Sequence, residues 1–137
     1  MRARSRSVAA AAALAAAALP LWASPARAGE TYDEFNHAEY PFNPAGGTCK
    51  ILITSYRQGT TVHAETYVET ISGSCATTRV SAALVFRTEH GDTVSTSSAD
   101  DGPGSAVSAS GAVDLARSEH GVTSSAGPTV SYTLTSK

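Results

Sequence analysis

The alternation of apolar and polar residues after Cys49 constrains the fold more than any other feature of this sequence. In residues 77–88 one side of the chain would carry Val80, Ala82, Leu84 and Phe86. The other side would carry Arg79, Ser81 and Arg87. A period of two residues is that of a half-buried β-strand. Ala83 and Val85 make the second side partly apolar as well, so we expect this strand to be central in its sheet.

A hairpin is predicted before that strand, with residues 49–57 and 60–71 joined by the turn Gln58-Gly59. In this register Ile51 lies opposite Thr66, and Ile53 lies opposite Ala64. The pairing gives both strands one mostly apolar side and one mostly polar side, which supports a half-buried sheet.

Two cysteines, Cys49 and Cys75, are the only ones in the chain. An even number in an exported protein indicates a disulfide, and closing a loop of this size stabilises a fold by about 3 to 4 kcal/mol. Free thiols used in redox chemistry or as metal ligands are the alternative, but the spacing lacks the C-x-x-C pattern. A flat three-stranded meander would hold the two cysteines too far apart, so we expect Ser72-Gly73-Ser74 to carry the chain into a second sheet.

The remaining strands are shorter and richer in serine and threonine. They are predicted at residues 92–98 as an edge strand, at 105–116, weakly near Val122, and at 129–136. In the segment 105–116 the inward residues would be Val107, Ala109, Val113 and Leu115. Six to seven strands in residues 49–137 predict an all-β domain, a two-layer antiparallel β-sandwich of immunoglobulin-like type with one disulfide.

Residues 1–28 have the pattern of a secretory signal peptide. Three arginines precede an uncharged run rich in alanine and leucine, and Ala26-Arg27-Ala28 provides a cleavage site after Ala28. We therefore expect a secreted, extracellular protein of 109 residues, 29–137. No second apolar segment follows, so no membrane span is expected. Eight arginines against two lysines and an alanine-rich leader suggest a GC-rich bacterial source.

Residues 29–48 differ from the rest, because they are aromatic and acidic and contain no lysine or arginine. Proline and glycine end the segment, which predicts an extended or irregular arm, with room for one helical turn. Its aromatic residues Tyr32, Phe35 and Tyr40 are candidates for contacting a partner. The alternative is that the arm folds back and caps the sandwich.

Charge and motifs exclude several functions. Four of the ten basic residues lie in 1–28 and all twelve acidic residues follow it, so the processed chain has a net charge of −6. Nucleic acids and anionic membranes are therefore unexpected partners. No nucleophile elbow, metal-ligand spacing or nucleotide loop is present, so we expect no enzyme activity, no cofactor and no catalytic or metal-binding residues.

A non-catalytic binding role outside the cell remains the best prediction, with an extracellular protein or a cell-wall polymer as the unknown partner. The polar edge strand favours a monomer. One alternative is an inhibitor of a foreign hydrolase that inserts the hairpin tip at Tyr56 and Arg57. Another is a metal-binding module formed by a repeat, Glu89-His90-Gly91 and Glu119-His120-Gly121, if both copies form turns at one end of the sandwich.

Overall fold

The computed structural model describes residues 31–124 and 129–135. The predicted signal peptide and its cleavage position at Ala28 lie outside the described residues. Nearly all of the described chain is extended. The strands are β1 (Glu34–Phe42), β2 (Gly47–Gln58), β3 (Thr61–Gly73), β4 (Thr77–Thr88), β5 (Thr93–Asp100), β6 (Gly104–Ala109), β7 (Ala112–Ser124) and β8 (Thr129–Thr135).

Two antiparallel sheets of four strands each form the fold. The front sheet has the order β1-β2-β3-β6, and the back sheet has the order β5-β4-β7-β8. The chain passes between the sheets from β3 to β4, from β5 to β6 and from β6 to β7. This architecture confirms the predicted all-β sandwich and is consistent with an immunoglobulin-like fold, with eight strands rather than six or seven.

The hairpin of β2 and β3 has the predicted faces but a different register. Its turn is Gly59-Thr60, so Gln58 pairs with Thr61 and Ile51 pairs with Val68. Gly59 adopts a positive φ of 62°, which suits the first position of a two-residue hairpin turn. The predicted turn at Gln58-Gly59 is therefore wrong by one position. The partner of each residue moves by two, and this shift leaves every side chain on its predicted face.

The disulfide joins the front sheet to the start of the back sheet. Cys49 lies in β2, Cys75 lies in the link between β3 and β4, and their Cα atoms are 6.1 Å apart. The predicted crossing near Ser72-Gly73-Ser74 is confirmed. Two glycines allow the chain segments to meet there, because a Cβ on Gly47 would overlap the backbone carbonyl of Ser74 and one on Gly73 would overlap that of Gly46.

The predicted N-terminal arm contains a regular strand. β1 pairs with β2 along its whole length, from Glu34 opposite Arg57 to Phe42 opposite Cys49. Of the two predicted alternatives, an extended or an irregular arm, the structure shows the extended one for this part of the segment 29–48. Pro41 is compatible with the strand because β1 is at the edge of its sheet, where a missing backbone N–H costs no ladder hydrogen bond.

The predicted strand at residues 105–116 is two strands. Gly111 has a φ of 85° and lies between β6 in the front sheet and β7 in the back sheet. Val113, predicted to face inward, is 46% exposed, whereas Leu115 is fully buried. The pairing with β4 passes from Asp114 to Ala112 and skips Val113, so a β-bulge turns this side chain outward. The weak strand expected near Val122 is the second half of β7.

The core consists of two apolar clusters that follow one another along the strands. β4 is central, as predicted, and its inward side chains enter both clusters. The cluster near the disulfide contains Phe42, Cys49, Ile51, Ile53, Val68, Val80 and Val122. The cluster near the hairpin tip contains Val62, Ala64, Ala82, Leu84, Phe86, Ala112 and Leu115.

Candidate functional site

The two copies of the Glu-His-Gly repeat have different structures. His90 is exposed in the turn between β4 and β5, where Gly91 has a φ of 86°. His120 lies inside β7 opposite Ala82, and Gly121 has extended backbone there, with Ser81 Oγ close to the position that a Cβ would occupy. The expectation that both copies form turns is wrong.

The repeat therefore builds no common site. Along β4 the levels of His120 and of the β4–β5 turn differ by six residues, or about 20 Å. Within the described ranges, no group of three or more His, Cys, Asp or Glu side chains is arranged to hold a metal ion.

His120 instead belongs to a buried polar network between the two apolar clusters. Its Nδ1 is 2.7 Å from Thr66 Oγ1 in the front sheet, and its Nε2 is 2.8 Å from Ser118 Oγ. Thr66 Oγ1 donates to the carbonyl of Ser81 at 2.8 Å, so it accepts from Nδ1–H. A neutral imidazole with its proton on Nδ1 satisfies all of these groups.

Burial lowers the pKa of His120 from 6.5 to about 4, because desolvation disfavours the imidazolium more than the Glu65 backbone and the Glu119 carboxylate favour it. The Ser118–His120 pair has the spacing of a nucleophile and its base. Both residues, however, are at most 2% exposed. The network therefore joins the two sheets inside the core.

Arg57, a predicted partner-binding residue, lies at the hairpin tip and binds the chain's own N-terminal segment. Its Nε donates to Glu34 at 2.7 Å, and its Nη1 contacts Asp33 at 3.4 Å and the carbonyl of Gly59 at 2.9 Å. The hydrogen bond to Glu34 is the main cause that raises the pKa of Arg57. Asp33 also accepts the backbone N–H of Gly59 at 2.7 Å. These contacts hold the tip and the N-terminal segment together.

Tyr40, another predicted partner-binding residue, faces inward. Its ring stacks on that of Tyr132 with centroids 3.9 Å apart and planes inclined by 6°. The stack joins β1 to β8 along one side of the sandwich and packs against the apolar cluster near the disulfide.

The other three predicted residues come together on the outer face of the front sheet. Tyr32 lies 4.8 Å from Tyr56 and 5.2 Å from Phe35, measured between ring centroids. Tyr56 also stacks on His63 of the next strand at 5.0 Å. We call these four half-buried residues, Tyr32, Phe35, Tyr56 and His63, the aromatic patch.

The aromatic patch follows directly from strand register. Phe35 is the partner of Tyr56, and Tyr56 is the partner of His63. Cross-strand neighbours on one side of a sheet lie about 5 Å apart, so the rings form a continuous row across β1, β2 and β3. His63 was not among the predicted site residues, and the predicted register put it opposite Thr54 rather than Tyr56.

Polar side chains continue this outer face, which we call the front face, toward the disulfide end. His37 contacts Thr54 at 2.9 Å and Glu39 at 3.1 Å, and Glu39 also pairs with Lys50 at 3.1 Å. These contacts lower the pKa of Glu39, the hydrogen bond from His37 being the largest cause. The polar rows of the front face are thus oriented by contacts within β1 and β2.

A second imidazole–carboxylate pair lies on β3. His63 contacts Glu65 at 3.0 Å and Ser108 of β6 at 2.7 Å. The pair links the aromatic patch to the carboxylates, so the rings and charges of the front face form one connected surface.

The outer face of the back sheet is different in character. It has a shallow, open depression of about 360 Å³, and its outward residues are mostly small. The lining includes Ser81, Ala83, Ser97, Gly121 and Ser131. No aromatic side chain points outward from it among the described residues.

No family model, curated protein or solved structure matches the chain. In the described part of the chain, no helix is long and apolar enough to span a bilayer. The front face is thus the best candidate site that the chain's own residues provide.

Proposed function

We propose that this is an exported, non-catalytic binding protein, and that the front face is its contact surface. The aromatic patch carries the proposal, because three strands and the N-terminal segment bring four rings together on a face that no described strand covers. Tyrosine and other aromatic side chains supply much of the binding energy of protein interfaces.

The patch is also held in place before any partner arrives. The N-terminal segment that carries Tyr32 is fixed by Asp33, which accepts the backbone N–H of Gly59, and by the ion pairs of Arg57. Gln58 adds a hydrogen bond from its side chain to the carbonyl of Thr31 at 2.8 Å. Because these contacts limit the motion of the rings, binding would cost less side-chain entropy.

Location outside the cell is part of the same proposal. The disulfide between Cys49 and Cys75 is compatible with an oxidising compartment, and the N-terminal sequence pattern favours export. Intact-mass analysis of the protein from culture medium should give a chain that begins at Gly29. A protein retained in the cells at full length would contradict export.

Neither alternative role gains a specific structural observation. The inhibitor hypothesis needs Arg57 as an anchor, and its guanidinium is already bound to Asp33 and Glu34. The metal hypothesis needs His90 and His120 at one place, and they lie at different levels of the back sheet.

The binding role is tested by cosedimentation with the cells that produce the protein and with their isolated walls. The test variant is Phe35→Ala with Tyr56→Ala, which removes two rings from the patch. The matched control is Val113→Ala, which shortens an apolar side chain that is 46% exposed in β7, away from the front face. All three proteins should show the same β-rich circular dichroism.

We expect the wild type and the Val113→Ala variant to sediment with cells or walls, and the double variant to lose at least tenfold in bound fraction. Two truncated hot-spot residues, each costing about 1 kcal/mol or more, account for a loss of this size. Equal binding of all three proteins would refute the front face as the contact surface.

A further inference from the structure

The front face is acidic beside its aromatic patch. The outward residues of β1, β2 and β3 include three carboxylates and one ammonium. These residues are Glu39, Glu65, Glu69 and Lys50. Lys50 forms its ion pair with Glu39 at 3.1 Å, and Glu69 lies opposite Lys50 in the strand register. With His37 and His63 neutral, the front face has a formal charge of −2.

The opposite face of the sandwich has the other sign. Three of the chain's arginines point outward from the back sheet: Arg79, Arg87 and Arg117. Two of them pair with acidic neighbours, Arg87 with Asp114 and Arg117 with Glu119 at 2.8 Å. The outward residues of the back-sheet strands therefore have a formal charge of +1, opposite in sign to those of the front sheet.

This polarity selects among the partners of the front face. A protein surface rich in lysine and arginine would be steered toward the front face and away from the back face, since complementary charge governs orientation on encounter. Ring faces beside carboxylates also suit such cations, because guanidinium and ammonium groups are attracted to aromatic faces. An uncharged glycan could donate hydrogen bonds to the carboxylates through its hydroxyl groups, but it would gain no attraction between opposite charges.

We infer, building on the proposed function, that the partner is a basic protein segment whose arginine or lysine side chains lie on the aromatic patch and pair with Glu65 and Glu69. The geometry suits this occupant, because Glu65 is bound to His63 of the patch and Glu69 lies two rows further along β3. Rings and carboxylates thus succeed one another along a single strand.

The experiment measures binding of labelled hexa-arginine by fluorescence anisotropy, beside two other probes, a hexaglutamate peptide and a neutral chitin hexasaccharide. The full disulfide-bonded protein is used at low and high salt. Glu69→Gln removes one carboxylate from the front face. Glu89→Gln removes one from the exposed β4–β5 turn and is its charge-matched control. Tyr56→Leu keeps an apolar side chain but removes the ring.

We expect hexa-arginine to bind and hexaglutamate not to bind. Glu69→Gln should weaken binding roughly two- to fivefold, the range for an exposed ion pair. Tyr56→Leu should weaken it roughly three- to tenfold through the lost cation–π contact. Glu89→Gln should change it less than 1.5-fold, and binding should fall at least tenfold between about 50 and 500 mM salt because exposed charges are screened.

Three results would overturn the inference. Equal losses for Glu69→Gln and Glu89→Gln would show that only net charge matters. Binding of the chitin hexasaccharide that depends on Tyr56, without binding of hexa-arginine, would identify a glycan instead. Concentration-dependent dimerisation lost in Tyr56→Leu would identify a second copy of the chain as the occupant. Should Tyr56→Leu misfold, the two glutamate variants still decide the outcome.

Failure of this inference and failure of the proposed function are distinguishable. If hexa-arginine does not bind but cells still retain the wild type and not the Phe35→Ala, Tyr56→Ala variant, only the basic partner is rejected. If neither assay depends on the patch, both are rejected.

Discussion

His120 should make the stability of the protein fall as the pH is lowered from 7 to 4. In the folded state its pKa is about 4, whereas an unfolded histidine has a pKa of 6.5. Between these values the unfolded chain binds a proton that the folded chain does not bind, so acid favours unfolding. The stability that the fold gains by keeping His120 neutral is fully present above pH 6.5, and it is lost as the pH falls through 4.

The magnitude follows from the difference between the two pKa values. At 1.36 kcal/mol per pKa unit, a shift of this size is worth about 3 kcal/mol. That is a large part of the roughly 5 to 15 kcal/mol by which domains are stable. The physical cause is the position of the imidazole between Thr66 and Ser118, where no water can solvate an added charge.

Urea unfolding at a series of pH values, with the disulfide intact, measures this contribution as a difference between variants. His120→Gln removes the titrating group, and His90→Gln, at the exposed turn, is the matched control. The free-energy difference between wild type and His120→Gln should shrink by about 3 kcal/mol from pH 7 to pH 4, because carboxylates titrate equally in both. His90→Gln should follow the wild type.

An NMR titration of the imidazole provides a second measurement that does not require the variant to fold. The His120 ring signals should stay unchanged down to about pH 5. A His120 pKa near 6.5, or a constant difference in stability between wild type and His120→Gln over this pH range, would refute the reasoning.

Three further predictions concern what holds the sandwich together. Replacing Cys49 and Cys75 by serine should lower the free energy of unfolding by about 3 to 4 kcal/mol, as measured by urea unfolding; a loss below 1 kcal/mol would contradict the chain-entropy argument. Arg57→Gln should destabilise the fold by about 1 to 3 kcal/mol and speed amide exchange at the start of β1, whereas unchanged exchange there would show that the ion pairs are dispensable. Gly47→Ala should lower the free energy of unfolding by about 2 kcal/mol or more, as measured by thermal unfolding, because the new Cβ would overlap the backbone of Ser74. Gly91→Ala, whose Cβ would enter open space, should lower it by about 1 kcal/mol. The reverse order would contradict the close approach of Gly47 to Ser74.

The alternation of apolar residues predicted the faces of the strands but not all of their connections. Period two is unchanged by a register shift of two residues, so the pattern could not distinguish a turn at Gln58-Gly59 from one at Gly59-Thr60. For the same reason the pattern did not show that the segment 105–116 forms two strands. Val107 and Val113 have the same parity, and only Gly111, with its positive φ, marks the change of sheet.

The residues of the candidate site were only partly predictable, because strand pairing brings them together and the alternation of residues does not specify that pairing. Tyr32, Phe35 and Tyr56 were selected as aromatic residues in suitable segments, but their adjacency depends on the pairing of β1 with β2. β1 was hard to recognise because its inward side begins with the polar residues Glu34 and Asn36 and its outward side includes Phe35 and Pro41, so apolar and polar residues do not alternate cleanly. The role of His120 was missed because its local sequence matches that of the turn at His90, and only tertiary pairing separates them.

The two ends of β2 are bound to the rest of the chain by different kinds of bond. Near one end a disulfide joins Cys49 to Cys75. Near the other end ion pairs join Arg57 to Asp33 and Glu34. A thiol reductant would therefore loosen the sandwich near Cys49, and concentrated salt would loosen it near Arg57. The aromatic patch lies beside the ionic end, so concentrated salt would release the residues before β1 that carry Tyr32, while the disulfide keeps the opposite end of the sandwich closed.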